Sequence, residues 1–76
     1  MAEQELDLRG LKCPLPALLA RRALLRADPG TIIAVLVDDP MAPIDVPHMC
    51  RGEGYEFLGE SREATCSRLR LRKGSS

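Results

Sequence analysis

The segment Cys13-Pro14-Leu15-Pro16 holds the residues of this sequence whose types and spacing are best suited to chemistry. A cysteine placed where a helix begins lies beside backbone N–H groups that have no intrahelical partner and beside the positive end of the helix dipole. This setting lowers the pKa of a thiol. The two prolines fit a first helical turn, because a missing N–H loses no helical hydrogen bond there. The same residues also fit a buried core cysteine followed by a proline helix start, so the segment alone leaves both interpretations open.

Other kinds of functional site have weaker support in the sequence. The three cysteines, Cys13, Cys50 and Cys66, are widely spread and His48 is the single histidine, so we predict no metal site. A Cys–His pair with His48 as the base lacks any evident third group to orient it. The glycines form no phosphate-binding loop before a helix, and we predict no cofactor. The Cys13 thiol remains the candidate.

Hydrophobic patterning predicts six elements that must position this thiol. Leu6 and Leu8 alternate with charged residues, which indicates a short strand, and the Leu-, Ala- and Arg-rich stretch after Cys13 indicates a helix. The predicted elements are a strand at Glu5–Leu8, a helix at Pro14–Ala27, a strand at Thr31–Val37, a helix from about Asp45 to Arg51, and strands at Tyr55–Leu58 and Cys66–Lys73, with a turn at about Gly59–Thr65. The order is β-α-β-α-β-β.

This order predicts an α+β fold, a two-layer α/β sandwich in which a four-stranded mixed sheet carries both helices on one face. The last strand alternates between small or apolar side chains on one side and mostly basic ones on the other: Ser67, Leu69 and Leu71 against Cys66, Arg68, Arg70 and Arg72. We expect the arginines to lie on a solvated, open sheet face. Residues 1–76 are predicted to form a single domain, with residues 1–4 and 74–76 frayed.

Composition excludes several classes of protein. The 11 basic and 11 acidic residues balance, which argues against binding to nucleic acid mainly by charge. The acidic N-terminus lacks the apolar region of a secretory signal, and the longest apolar run, Ile32 to Val37, is too short to span a bilayer. An odd number of cysteines does not suggest a disulfide framework. We therefore expect a cytoplasmic protein with free thiols and no membrane association.

The first predicted helix carries two apolar arcs. One arc can lie close on a sheet because it is made of small residues and one leucine: Ala17, Ala20, Leu24 and Ala27. The other arc contains four leucines and is interrupted by two arginines: Leu15, Leu18, Leu19 and Leu25, with Arg22 and Arg26. One arc must face the core, so the other is at least partly exposed. Because Leu15, Leu18 and Leu19 lie within two turns of the thiol, we predict a partner interface at Leu18, Leu19, Arg22 and Arg26.

Three blocks of sequence occur together in the order and spacing of a known family. They are the run from Leu6 to Pro16, then Asp28-Pro29-Gly30, and then Asp38-Asp39-Pro40 followed by Asp45-Val46-Pro47 and Cys50. With these blocks the chain resembles the TusA/SirA-like (YedF/YeeD-type) family of small sulfur-carrier proteins, from Leu6 to Lys73.

The resemblance implies the same β-α-β-α-β-β fold and a role for Cys13 as the residue that carries a persulfide. A cysteine desulfurase or another sulfur donor would load this thiol, and the carrier, a sulfurtransferase-type protein, would pass the sulfur to a relay protein or an acceptor. The implied end pathways are tRNA thiolation, molybdenum-cofactor assembly and sulfur oxidation. We expect a monomer without stable nucleic-acid binding. A persulfide anion on Cys13 would be stabilised by the N–H groups of Leu15 and Ala17, because Pro14 and Pro16 have none.

Two departures from the family pattern bear on the partners. The position after Cys13-Pro14 is often acidic in the tRNA-thiolation carriers but is Leu15 here, and the segment from Met41 to Ile44 is more apolar than usual. The identities of donor, acceptor and pathway therefore stay open.

Roles for the remaining candidate residues also stay open. Asp38, Asp39 and Asp45 are candidate orienting acids near Cys13, although Asp38 and Asp39 equally fit a strand end and turn. Arg9 and Lys12 would add positive charge near the thiolate or lie solvated in a loop. Cys50 is expected in the core and Cys66 on the open face.

Two alternative functions use the same fold. One is a regulatory or protein-interaction module in which Cys13 is structural and the exposed leucines are the working surface. The other is a thiol redox sensor in which Cys13 pairs with Cys50 or Cys66.

Overall fold

The computed structural model describes residues 3–74, and it confirms the predicted β-α-β-α-β-β order. The elements are β1 (Glu3–Asp7), α1 (Leu15–Arg26), β2 (Ile32–Val37), α2 (Ala42–Glu53), β3 (Glu56–Arg62) and β4 (Ser67–Arg72). Within these residues no helix is both long enough and apolar enough to cross a bilayer.

The four strands form one mixed sheet in the order β1-β2-β4-β3. β1 runs parallel to β2, which requires the crossover that α1 provides, and β4 runs antiparallel to both β2 and β3. Both helices pack on one face, as the sequence predicts. After β1 the chain passes through the loop that contains Cys13 and then enters α1.

The core lies between the helices and the sheet. It is built from aliphatic side chains of both layers, chiefly Ala20 and Leu24 of α1, Ile33, Val35 and Val37 of β2, Val46 and Cys50 of α2, and Leu69 and Leu71 of β4. In β4 the small and apolar residues are buried while the arginines lie on the opposite face, which confirms the predicted alternation. Burial of this apolar surface is the main force that holds α1, and with it Cys13, in place.

Both boundaries of α2 differ from the prediction. α2 extends beyond the predicted Asp45–Arg51 range at both ends, because Pro43 occupies its first turn and Pro47 sits inside it with a buried ring. Pro47 removes one helical hydrogen bond, yet core packing compensates for it. Gly54 ends the helix in the left-handed region at φ 83°.

The last two strands form a longer hairpin than predicted. β3 continues to Arg62, and the turn shortens to residues 63–66, where the Glu63 N–H donates to the Cys66 carbonyl at 2.9 Å. A register shift between Phe57 and Gly59 lets β3 follow β4 along its full length.

The ends of the chain predicted to fray, residues 1–4 and 74–76, are described in part. Glu3 and Gln4 pair with β2 as part of β1, and the Gly74 carbonyl accepts a hydrogen bond from the Gly30 N–H at 2.7 Å. Residues 1, 2, 75 and 76, also predicted to fray, lie outside the described residues. Near this end the Lys73 ammonium donates to the carbonyls of Leu24 and Leu25 at 2.8 and 3.2 Å, so the C-terminal strand end caps α1.

Candidate functional site

Cys13 is exposed in the loop that leads into α1. The Cys13–Pro14 peptide bond is cis, Pro14 occupies the N-cap position and α1 begins at Leu15. Pro16 lies in the first turn with its ring buried, and the Leu18 N–H donates to the Pro14 carbonyl at 3.1 Å. The prolines thus anchor the helix start and leave the sulfur at the surface.

The Cys13 thiol contacts a carboxylate from the other helix. Its Sγ donates a hydrogen bond to Asp45 Oδ2 at 2.7 Å. Asp45 lies in the first turn of α2, where a negative charge is favourable beside the positive end of the helix dipole. The N-terminal turns of both helices therefore meet at the thiol.

This contact reverses the predicted shift of the Cys13 pKa. The sequence predicts a lowered pKa from the start of α1, whereas the hydrogen bond to the Asp45 carboxylate raises it. Partial desolvation and the negative charges of Asp45 and Asp39 act in the same direction. The start of α1 alone favours a lowered pKa, whereas the Asp45 carboxylate comes from α2, which packs beside Cys13 and is distant from it in sequence.

The backbone donors expected to face the sulfur are also not both available. The Leu15 N–H donates to the Lys12 carbonyl at 2.8 Å, which closes a turn around Cys13. The Ala17 N–H has no acceptor within residues 3–74. Of the two groups predicted to stabilise an anion on Cys13, only Ala17 therefore remains uncommitted.

The three candidate acids have different structural roles. Asp38 Oδ1 accepts a hydrogen bond from the Gly10 N–H at 2.9 Å and so fixes the loop before Cys13, where Gly10 has a φ of 86°. Asp39 Oδ2 accepts from the Met41 N–H at 3.0 Å and orders the start of α2. Asp45 is the acid that contacts the thiol.

Arg9 does not supply the positive charge that the sequence allows near Cys13. The Arg9 guanidinium forms a two-point ion pair with Asp7, with contacts of 2.9 and 2.7 Å. This pairing holds the pKa of Asp7 at about 2. Lys12 is exposed beside the thiol.

A shallow groove of about 500 Å³ runs from Cys13 between the two helices. We call it the helix groove; its walls include Ala17, Leu18 and Arg21 from α1 and Asp45, His48 and Met49 from α2. Asp45, His48 and Met49 are spaced as one face of a helix and all lie within the predicted helix, so their spacing is a signal that could have indicated this wall.

The predicted interface residues separate in the structure. Leu18 lines the helix groove and is 52% exposed, and Leu15 beside it is 45% exposed. Leu19 instead packs against the core. Arg22 is exposed, whereas Arg26 lies at the far end of α1 near Asp28. The sequence marks the segment from Met41 to Ile44 as apolar but does not place it in the interface; in the structure Met41 and Ile44 are exposed near the start of α2.

The family model for sulfurtransferase TusA matches residues 4–73 of the chain. The chain belongs to this family. The crystal structure of a SirA-like protein from Desulfitobacterium hafniense superposes with a TM-score of 0.81 at 24% sequence identity, covering 97% of this chain and 100% of that chain. This likeness shows the shared fold, and the two findings together confirm the TusA/SirA-like resemblance.

TusA-family proteins are sulfur carriers of the sulfurtransferase class, so this chain has a sulfur donor and a sulfur acceptor as its partners. Such a role calls for an accessible group that can hold sulfur. No cluster of three or more potential metal ligands is found within residues 3–74.

The other two cysteines of this TusA-family protein are less accessible than Cys13. Cys50 is 0% exposed, in the core as expected, and burial raises its pKa to about 11. Cys66 is half-buried in the turn before β4. All three cysteines are free.

The open sheet face of this TusA-family protein is electrically compensated. We call Arg68, Arg70 and Arg72 the arginine row; its members pair with glutamates of the neighbouring strands and turn. Arg70 contacts Glu3 at 3.1 Å and Arg72 contacts Glu56 at 2.5 Å, while Arg68 pairs with Glu5 and Glu63. The face therefore presents no excess of positive charge to a nucleic acid.

Proposed function

We propose that this protein accepts sulfane sulfur as a persulfide on Cys13 and delivers it to an acceptor protein. The observation that carries the proposal is the position of this thiol: Cys13 is exposed at the end of the helix groove, whereas Cys50 is buried and Cys66 half-buried. Membership of a sulfurtransferase family supports the chemistry.

The loading step is a thiol–persulfide exchange. The Cys13 sulfur, as a thiolate, attacks the outer sulfur of a persulfide on the donor's cysteine. A new S–S bond forms on Cys13 while the S–S bond of the donor breaks. The donor cysteine leaves as a thiolate and takes up the proton that Cys13 lost, so the step needs no external oxidant or reductant. Delivery to the acceptor is the same exchange with Cys13 as the leaving thiolate.

The partners complete the site. The helix groove is shallow, and the exposed Leu15 and Leu18 offer an apolar surface at its edge. A donor that covers this surface would exclude water from the two reacting sulfurs. A cysteine desulfurase or another persulfide-bearing protein is the proposed donor, and the acceptor belongs to tRNA thiolation, molybdenum-cofactor assembly or sulfur oxidation. The free thiols fit the reducing cytoplasm as the proposed compartment.

The test is the intact mass of the protein after incubation with a cysteine desulfurase and cysteine. We expect a gain equal to one sulfur atom that a reductant removes. Cys13→Ser should abolish the gain, whereas Cys66→Ser, the matched control, should leave it unchanged. A panel of several donors that yields no adduct, or an undiminished adduct in Cys13→Ser, would overturn the proposal. The mass loss of a disulfide in place of the gain would support the redox-sensor alternative.

A further inference from the structure

We infer that Asp45 is a positioning residue that holds Cys13 as a protonated thiol in the free protein, and that Cys13 becomes nucleophilic only when a donor protein engages the Asp45 carboxylate. The second half of this inference rests on the proposed function. The first half concerns the free protein and can be tested without any sulfur donor.

The geometry assigns the direction of the interaction. A thiol can donate to a carboxylate oxygen only while it keeps its proton, and the Sγ–Oδ2 distance is 2.7 Å. Loss of the proton would place a thiolate against a carboxylate, two like charges in contact. The arrangement therefore stabilises the thiol relative to the thiolate.

Charged groups on the surrounding elements do not offset this effect. On α1, Arg21 lines the helix groove, but its guanidinium contacts the Glu53 carboxylate of α2 at 3.3 Å. In the loop before α2, Asp39 adds a second negative charge that acts on Cys13.

Two further ionisable groups lie near the thiol. Lys12 precedes Cys13 and is exposed, and His48 lies one turn beyond Asp45 on the same wall of the helix groove. Neither contacts the sulfur within hydrogen-bond distance. The raised pKa of Cys13 agrees with the balance of these charges.

This arrangement has a consequence for a carrier whose thiol is exposed. Oxidants and alkylating agents react with the thiolate, so a protonated Cys13 is protected while no partner is bound. A docked donor that presents a lysine or arginine opposite Asp45 would pair with the carboxylate, so that the Cys13 proton passes to solvent and the thiolate forms next to the donor persulfide. The donor cysteine that leaves as a thiolate then takes up a proton from solvent, which restores the balance. The donor expected from this reasoning therefore carries a cationic side chain beside its persulfide cysteine.

The test is the rate of Cys13 alkylation by iodoacetamide as a function of pH, measured on the intact chain. Trypsin places the three cysteines in separate peptides, with Cys13 in residues 13–21, Cys50 in residues 27–51 and Cys66 in residues 63–68. Mass spectrometry of the first peptide reports Cys13 alone. In Asp45→Asn we expect the inflection of the rate profile at lower pH and a several-fold faster reaction at neutral pH.

Matched variants separate the contact from general charge effects. Asp39→Asn removes a negative charge that does not touch the sulfur and should produce a smaller shift in the same direction. Asp38→Asn, whose carboxylate binds the Gly10 backbone instead, should leave the profile unchanged. Asp45→Glu should restore most of the wild-type behaviour, and His48→Gln should leave the inflection in place.

An unchanged or higher inflection in Asp45→Asn would overturn the inference. Far-UV circular dichroism checks that the variant is folded. If it is not, an NMR titration of the Cys13 Cβ signal in the wild-type chain provides the second measurement. An inflection above the ordinary thiol range is expected, and an inflection within or below that range would overturn the inference. Because neither experiment uses a donor, failure of sulfur loading and failure of the Asp45 role give separate results.

Discussion

Two leucines on α1 allow the placement of this helix to be tested quantitatively. Leu24 is 0% exposed and contacts the sheet, whereas Leu18 is 52% exposed at the helix groove. Replacing a buried leucine with alanine loses its transfer free energy and leaves a cavity, which costs about 2–5 kcal/mol. For a domain of this size that corresponds to a fall in Tm of about 8–40 °C, at about 4–8 °C per kcal/mol. Leu18→Ala should change the free energy of unfolding by no more than about 0.5 kcal/mol.

The same pair separates stability from docking. Thermal unfolding followed by circular dichroism gives the two Tm values. The rate of sulfur transfer from a desulfurase is measured by stopping the loading reaction at successive times, at a temperature where both variants are folded. We expect Leu18→Ala to slow loading from the protein donor while its reaction with iodoacetamide stays at the wild-type rate. Equal losses of Tm in Leu18→Ala and Leu24→Ala would contradict the assignment of the buried face. A normal loading rate in Leu18→Ala would remove Leu18 from the proposed interface.

Three further predictions follow from local features. Gly54→Ala should lower the free energy of unfolding by about 1 kcal/mol, because Gly54 has a φ of 83°. Gly52 lies inside α2 with open space around its Cα, so Gly52→Ala should raise the free energy of unfolding by a few tenths to about 1 kcal/mol. Urea unfolding measures both changes. Arg9 holds the pKa of Asp7 at about 2, below its ordinary 3.8. The stabilisation from this pair is therefore complete above pH 3.8 and is lost as the pH falls toward 2. An NMR titration of the Asp7 carboxyl group should show a higher Asp7 pKa in Arg9→Ala. Because the arginine row is paired with glutamates, we expect no RNA binding at low salt in fluorescence anisotropy. Arg70→Ala should leave both that result and sulfur loading unchanged. Tight RNA binding by the wild-type protein would contradict the conclusion that the charges of this face are compensated.

Periodicity in the sequence predicted those parts of the fold that depend on a single element. The alternation in β4 identified Leu69 and Leu71 as core residues because side chains on a strand point alternately to its two faces. The helical arc containing Ala20 and Leu24 became the buried face of α1 because small residues allow close approach to a sheet. Both inferences need only the geometry of one element and the presence of a core.

Features that depend on how elements pack against each other were not predictable in this way. Pro43 lies outside the predicted range of α2 although it occupies the first turn of the helix, and the buried position of Pro47 in the core depends on packing against the sheet. The contact between Cys13 and Asp45 joins residues 32 positions apart, and it exists because the two helices bring their N-terminal turns together. The sequence named Asp45 as a candidate orienting acid, but the sign of its effect on the thiol depends on that contact.

A peptide map of the loaded protein determines whether sulfur is held on Cys13. The protein is incubated with a cysteine desulfurase and cysteine labelled with a heavy sulfur isotope, alkylated, digested with trypsin and analysed by mass spectrometry. We expect an alkylated persulfide carrying the label in the peptide of residues 13–21 and none in the peptides that contain Cys50 and Cys66. Label confined to either of the other two peptides, with residues 13–21 recovered as the simple alkylated thiol, would contradict it.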